Sequence, residues 1–242
     1  MSLSPYFPVL IIVGAALLGW SIGIALRRVI HALPLWLEAA WRAQLTELGE
    51  PTVGPPADAR ADALHSGLRR WVPWVTSLIF ALCAYRYGLS WLTLAAWIFC
   101  AALITLAVID AETTLLPDCI TLPLLWLGLL INSGDAWTPL TMAVWGAALG
   151  YGVLWLVFHA FKRITGRDGM GFGDFKLMAA LGAWFGVQSV PWMLLVAAML
   201  GILGALCLRA MGRAAPGQAL PFGPYLALVG IVAVLWPGSF AG

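Results

Sequence analysis

An all-α, polytopic membrane bundle of about eight transmembrane helices is the fold this sequence predicts, and three observations carry it. Of 242 residues, 62% are hydrophobic and only 10% charged, with a mean hydropathy of +0.92, a balance that excludes an ordinary soluble domain. Eight apolar runs recur along the chain, separated by short polar stretches. The basic residues collect in alternate connections, as the positive-inside rule asks of a multi-pass protein. A net charge of +2 is too small to identify a partner, so lipid is the expected surrounding and no nucleic acid is expected.

The first run, from about Tyr6 to Leu26, is long enough to cross a hydrocarbon core of roughly 30 Å, and Arg27 and Arg28 are expected to stop it. No Lys or Arg precedes it, so it reads as a retained anchor with its N-terminus outside rather than as a cleaved leader. From Arg27 to Arg70 the chain turns polar. Within that segment Leu37, Trp41, Leu45 and Leu48 recur at three- and four-residue spacing, which predicts an amphipathic helix over 35–48 lying on the membrane face. Pro51, Gly54, Pro55 and Pro56 then predict a flexible turn.

Seven further runs follow, at about Pro73–Tyr87, Trp91–Ile109, Ile120–Ile131, Pro139–Phe161, Leu177–Val187, Pro191–Leu208 and Leu220–Trp236. Several are shorter than the roughly 20 residues of a usual span, which predicts that they sit in a thinned or protein-lined region. With this topology Arg27, Arg28, Arg42, Arg60, Arg69, Arg70, Lys162, Arg163, Arg167, Lys176, Arg209 and Arg213 share one side, and Arg86 falls on the other. The first side is expected to be cytoplasmic. Cys83, Cys100, Cys119 and Cys207 form no C-x-x-C pair, and His31, His65 and His159 are dispersed, so no metal site is expected.

Two acids stand where charge is expensive. Asp110 closes one apolar run, and Asp174 lies in the glycine-dense stretch Gly169-Met170-Gly171-Phe172-Gly173-Asp174-Phe175-Lys176 that opens another. A membrane-edge carboxylate is a functional-site hypothesis by default, and Gly171 and Gly173 let backbone approach a substrate or a second carboxylate. Both acids fall on the cytoplasmic side of the expected topology. Peptide hydrolysis by a carboxyl pair needs one ionised member to take a proton from water and one protonated member to polarise the carbonyl. Asp110 at a helix C-terminus and Asp174 at a helix N-terminus would feel opposite helix-end fields, an asymmetry that serves this. Asp118 after Pro117 reads as a helix N-cap, and Lys162, Arg163 and Arg167 as orientation determinants. An ion-coupled transporter with paired carboxylates, or a non-catalytic assembly component, would fit the composition too.

Gly171-Phe172-Gly173-Asp174 with Phe175-Lys176-Leu177 resembles the G-x-G-D motif of intramembrane aspartyl proteases. Ile109-Asp110 through Leu116-Pro117-Asp118 is similar to the partner motif of the type IV prepilin leader peptidase family. The stretch from Asp118 to Asn132, the late Leu220-Pro221-Phe222-Gly223-Pro224-Tyr225-Leu226-Ala227, and Gly19, Gly23, Leu33, Pro34, Glu38 and Trp41 also resemble that family, so the likeness spans most of the chain.

The resemblance implies an inner-membrane aspartyl endopeptidase with Asp110 and Asp174 as catalytic residues and Gly171 and Gly173 shaping the active-site turn. It implies residues 1–72 as an N-terminal helix plus cytoplasmic, methyltransferase-associated region, and 73–242 as the peptidase domain. The implied substrates are type IV prepilins and type II secretion pseudopilins, cut after the glycine that ends a basic leader. Glu38, Glu47, Glu50, Asp58 and Asp62 could meet that leader or form a solvated face. The resemblance further implies N-methylation of the new N-terminus from S-adenosylmethionine. Many members carry two C-x-x-C pairs after the first span and this chain has none there, so a peptidase without methylation is the alternative.

Overall fold

The computed structural model describes residues 7–48, 66–166, 170–212 and 221–236. Expectations resting on Tyr6, Glu50, the 51–56 turn, Asp58, Arg60, Asp62, His65, Arg167, Gly169, Arg213 and Leu220 lie outside them. Each of the eight apolar runs is a helix, and no strand occurs among the described residues. These eight helices are α1 Phe7–Glu47, α2 Val72–Tyr87, α3 Trp91–Thr113, α4 Asp118–Asn132, α5 Leu140–Thr165, α6 Phe172–Phe185, α7 Ser189–Ala210 and α8 Gly223–Leu235, and a single further turn, Ser66–Arg69, precedes α2. Among the described residues four of them, α1, α3, α5 and α7, are long and apolar enough to cross a membrane. The protein is a multi-pass membrane helical bundle. It divides into two compact units, residues 1–89 and 90–242.

In the first unit α2 packs against α1. Glycines permit the approach: a Cβ on Gly19 would stand 2.8 Å from the Thr76 carbonyl oxygen, and one on Gly23 would collide with Pro73. The Ser77 hydroxyl donates to the Ala16 carbonyl at 2.8 Å across the same contact. The expected stop at Arg27 and Arg28 does not end the helix. α1 runs 41 residues without interruption and absorbs the expected amphipathic helix as its C-terminal part. The reason is that two arginines end a hydrocarbon span but not a hydrogen-bond ladder, since Arg is a good helix former. Pro34 removes one donor only, and an i,i+4 Glu38–Arg42 ion pair at 2.8 Å supports the turn beyond it. At 1.5 Å per residue α1 is about 60 Å long, twice the roughly 30 Å of a hydrocarbon core.

The second unit is built around α6, which touches α4, α5, α7 and α8. Only 14 residues long, α6 buries Asp174, Phe175 and every residue from Leu177 to Trp184. A helix apolar on all sides belongs inside protein rather than against water. This is the protein-lined setting expected for the shorter runs. Close packing on α5 depends on Gly146 and Gly182, whose backbones touch so that a Cβ on either would overlap the other's carbonyl. At the far end, the fully buried Asn132 side chain donates to the carbonyls of Ala183 and Trp184, both at 2.9 Å. Its oxygen accepts from the Trp137 amide at 3.0 Å. The Trp184 indole donates to the Leu124 carbonyl at 2.8 Å. These bonds satisfy polar groups that would be costly if left open in an apolar interior, and they fix α6 against α4.

Gly152 on α5 has nothing within 4 Å of its missing Cβ. Gly152→Ala is therefore expected to leave thermal stability in detergent unchanged or raise it by up to about 1 kcal/mol. Gly182→Ala lowers it by about 1–3 kcal/mol through overpacking. Equal melting temperatures for the two variants would contradict the backbone contact.

Candidate active site

Asp110 lies in the last turn of α3, four residues before the left-handed Thr114 (φ 55°) that caps the helix and whose amide donates to the Asp110 carbonyl at 2.8 Å. A β-branched residue there is strained, a feature that clusters at functional sites. The Asp110 side chain is 4% exposed, and its Oδ2 accepts a hydrogen bond from the Gly223 amide at 2.9 Å. Gly223 opens α8, so this amide is one of the donors a helix start leaves unpaired, at the end that favours an anion. A Cβ on Gly223 would stand 2.7 Å from the same oxygen, which is why glycine occupies the position.

Asp174 lies in the first turn of α6 and is 6% exposed. Its amide donates to the Gly171 carbonyl at 3.3 Å. Asp110 is near enough to act on it electrostatically. Its Oδ1 is buried without a hydrogen-bond partner, the one such side-chain atom among the described residues. Buried polar atoms are rarely left so unless something else is to bind them. The structure thus brings together the two aspartates that the sequence singles out, 64 residues apart in the chain, on three helix ends, those of α3, α6 and α8.

Gly171 and Gly173 both stand at the start of α6. Gly171 is the N-cap of α6, in extended conformation (φ −79°, ψ 148°) that any residue adopts. Gly173 is not in a turn but inside the first helical turn, where a Cβ would stand 2.6 Å from the Cβ of Leu116. Close approach of the 114–117 connection, rather than turn conformation, requires glycine there. Asp118 is likewise not the N-cap of α4. That position is Pro117 and makes no side-chain cap. Asp118 is the first helical residue, and its carboxylate pairs with Lys176 at 2.7 and 2.6 Å. Gly223 escaped the sequence reading as a site residue. Its signal was a Gly-Pro pair opening an apolar run, which fixes a helix start but not its partner. Among the described residues no group of three or more His, Cys, Asp or Glu could hold a metal ion.

Residues 97–206 match the model of the type IV leader peptidase family. A protein of Stutzerimonas stutzeri named prepilin leader peptidase/N-methyltransferase is 36% identical, with 95% of this chain and 92% of the relative covered. The chain belongs to the type IV leader peptidase family. A Pseudomonas putida relative of the same name is 38% identical at the same coverage, and one from Neisseria gonorrhoeae is 46% identical over 64% of this chain and 53% of its own. No solved structure matches the chain. The matched segment holds both aspartates and the Asp118–Lys176 pair.

The Gly173–Leu116 contact is tested by a double-mutant cycle on thermal stability. Gly173→Ala lowers stability by about 1–3 kcal/mol. Leu116→Gly offsets part of that loss, with a coupling of about 1–2 kcal/mol, whereas Leu116→Ala does not, because its Cβ remains. Gly171→Ala, whose nearest neighbour would be the Asp174 Oδ2 at 3.8 Å, changes stability by less than about 0.5 kcal/mol.

Proposed function

We propose that this chain is an aspartyl endopeptidase of the bacterial inner membrane. It removes the basic leader of type IV prepilins and type II secretion pseudopilins at the cytoplasmic face, with Asp110 and Asp174 as the catalytic residues. The observation that carries the reading is the pair itself: two buried carboxylates within electrostatic reach of each other, one with an unpartnered oxygen, in a chain whose relatives are named prepilin leader peptidase/N-methyltransferase. The cytoplasmic assignment rests on charge. In residues 90–236 the described basic residues Lys162, Arg163, Lys176 and Arg209 lie at the ends of α5, α6 and α7, which the alternation of helices places with the aspartates.

The chemistry follows from the carboxylates. A water between them loses a proton to the ionised member as its oxygen attacks the scissile carbonyl. The protonated member hydrogen-bonds the carbonyl oxygen and stabilises the charge that develops on it. Collapse of the tetrahedral intermediate breaks the carbon–nitrogen bond, and the departing amine takes up a proton from the pair. The leader leaves with a new carboxyl terminus, and the mature protein with a new amino terminus. In this scheme the Gly223 amide holds Oδ2 of Asp110 and leaves its other oxygen for the reaction. Ion-coupled transport has less to support it, since both carboxylates sit in terminal helical turns rather than mid-helix.

The relatives' names carry a second reaction, and we propose N-methylation of the new terminus from S-adenosylmethionine, with residues 1–72 as the region concerned and 73–242 as the peptidase. The described cavities of the second unit do not fit that donor. One is lined by Ala198, Gly201, Ala205, Pro221, Phe222 and Tyr225, the other by Leu149, Val153 and Pro191 with their aliphatic neighbours. Neither offers an acid or base for ribose hydroxyls or an amino-acid group.

Mass spectrometry of a prepilin incubated with membranes carrying the protein tests both reactions. Wild type releases the leader, while Asp110→Asn and Asp174→Asn each slow release by at least about 100-fold with the prepilin still bound. Addition of S-adenosylmethionine adds the mass of one methyl group. Cleavage by both variants at the wild-type rate would overturn the proposal, and cleavage without a mass gain would leave a peptidase only.

A further inference from the structure

The Asp118–Lys176 pair has no part in the chemistry above, yet it joins the two segments that carry the catalytic aspartates. Lys176 is two residues beyond Asp174 on α6. At 3.6 residues per turn, side chains two apart diverge by about 200° around the helix axis. The cation therefore grips α6 from the face opposite Asp174. Its partner, Asp118, stands at the far end of the 114–117 connection, whose near end is closed on Asp110 by the Thr114 amide. Midway along the same connection Leu116 rests on Gly173 so closely that no Cβ fits between them. The connection out of α3 is thus fixed to the first turn of α6 at two points, one steric and one ionic, on either side of Asp174 in sequence. The ionic contact is bidentate, with Nζ 2.7 Å from Oδ1 and 2.6 Å from Oδ2 of Asp118.

We propose that Lys176 and Asp118 form a positioning latch that sets the rotation of the α6 first turn and, through it, the separation of the Asp110 and Asp174 carboxylates. This rests on the peptidase reading. Stability is a poor explanation for the pair: the Asp118 side chain is 52% exposed, and ion pairs in such settings add little to folding free energy. Geometry is a better one, because a displacement of about 1 Å at reacting groups can cost about 100-fold in rate. A rotation of one short helix turn moves Asp174 without unfolding anything.

The test is prepilin cleavage by the full chain in membranes. kcat and KM are measured separately for wild type, Asp118→Asn, Lys176→Met, Lys176→Arg and the double Asp118→Asn/Lys176→Met. Each neutral single variant is expected to lower kcat about ten- to a hundredfold with KM within about threefold and melting temperature unchanged. The double variant is no slower than the slower single, and Lys176→Arg, which keeps a charge able to span the gap, returns kcat to within about threefold of wild type. Wild-type kcat in the neutral singles, losses that multiply in the double, a loss confined to KM, a fall in melting temperature that accounts for the loss, or a Lys176→Arg no better than Lys176→Met would each overturn the latch. If wild type itself releases no leader, or Asp110→Asn and Asp174→Asn match it, the peptidase reading fails and the latch with it. That result is distinct from a cleaving wild type matched by its latch variants.

Discussion

Burying two carboxylates within electrostatic reach of each other in an apolar bundle is the constraint on which the second unit depends. An acid removed from water must be held by hydrogen bonds or by something that binds later, and its neighbour's charge adds to the cost. The chain meets this with helix ends. Asp110 in the last turn of α3 takes the free amide at the start of α8, and Asp174 sits in the first turn of α6, where its own amide is held by the Gly171 carbonyl. One oxygen of Asp174 is left open. That oxygen is buried, and it is the point at which the fold departs from the rule of satisfied buried groups.

Holding helix ends together requires that the helices themselves not slide. α6 is short and buried along its length, so its position is set by contacts at both ends. At the end remote from the aspartates, Asn132 and Trp184 tie it to α4 through three hydrogen bonds. In its last turn, Gly182 lies backbone to backbone on Gly146, a contact that gains dispersion energy where lipid supplies no hydrophobic drive. At the aspartate end, Leu116 on Gly173 and Lys176 on Asp118 complete the set. Small residues do the packing and a few polar residues fix the register, the division of labour expected where most of the surface is apolar.

Much of this was legible in the sequence. Hydropathy located the eight long helices, because apolar runs bounded by Pro, Gly and charge leave few alternatives in a membrane protein. The aspartates were legible as costly charges at run ends, and their kinship to a G-x-G-D motif tied them to one another. The continuity of α1 was not legible, since Arg27 and Arg28 mark where hydrocarbon ends and say nothing about where hydrogen bonding ends. Nor was the Asp118–Lys176 pair, which joins residues 58 apart, or the Gly223–Asp110 bond, which joins residues 113 apart. Local pattern gave Asp118 the N-cap position, which Pro117 occupies instead without a side-chain cap. Contacts of this range are set by how helices pack, and periodicity carries no record of them.

The central claim is that Asp110 and Asp174 act together on a tetrahedral carbon. Its most direct test is the affinity of a prepilin leader peptide whose scissile amide is replaced by a non-cleavable hydroxyethylene group, compared with the unmodified peptide. Groups that match the transition state bind at least about 100-fold more tightly than substrate when the catalytic residues are in place. The account predicts that advantage for the wild-type protein and its loss in both Asp110→Asn and Asp174→Asn, with the affinity for the unmodified peptide retained. Equal preference for the hydroxyethylene peptide in wild type and both variants would contradict it.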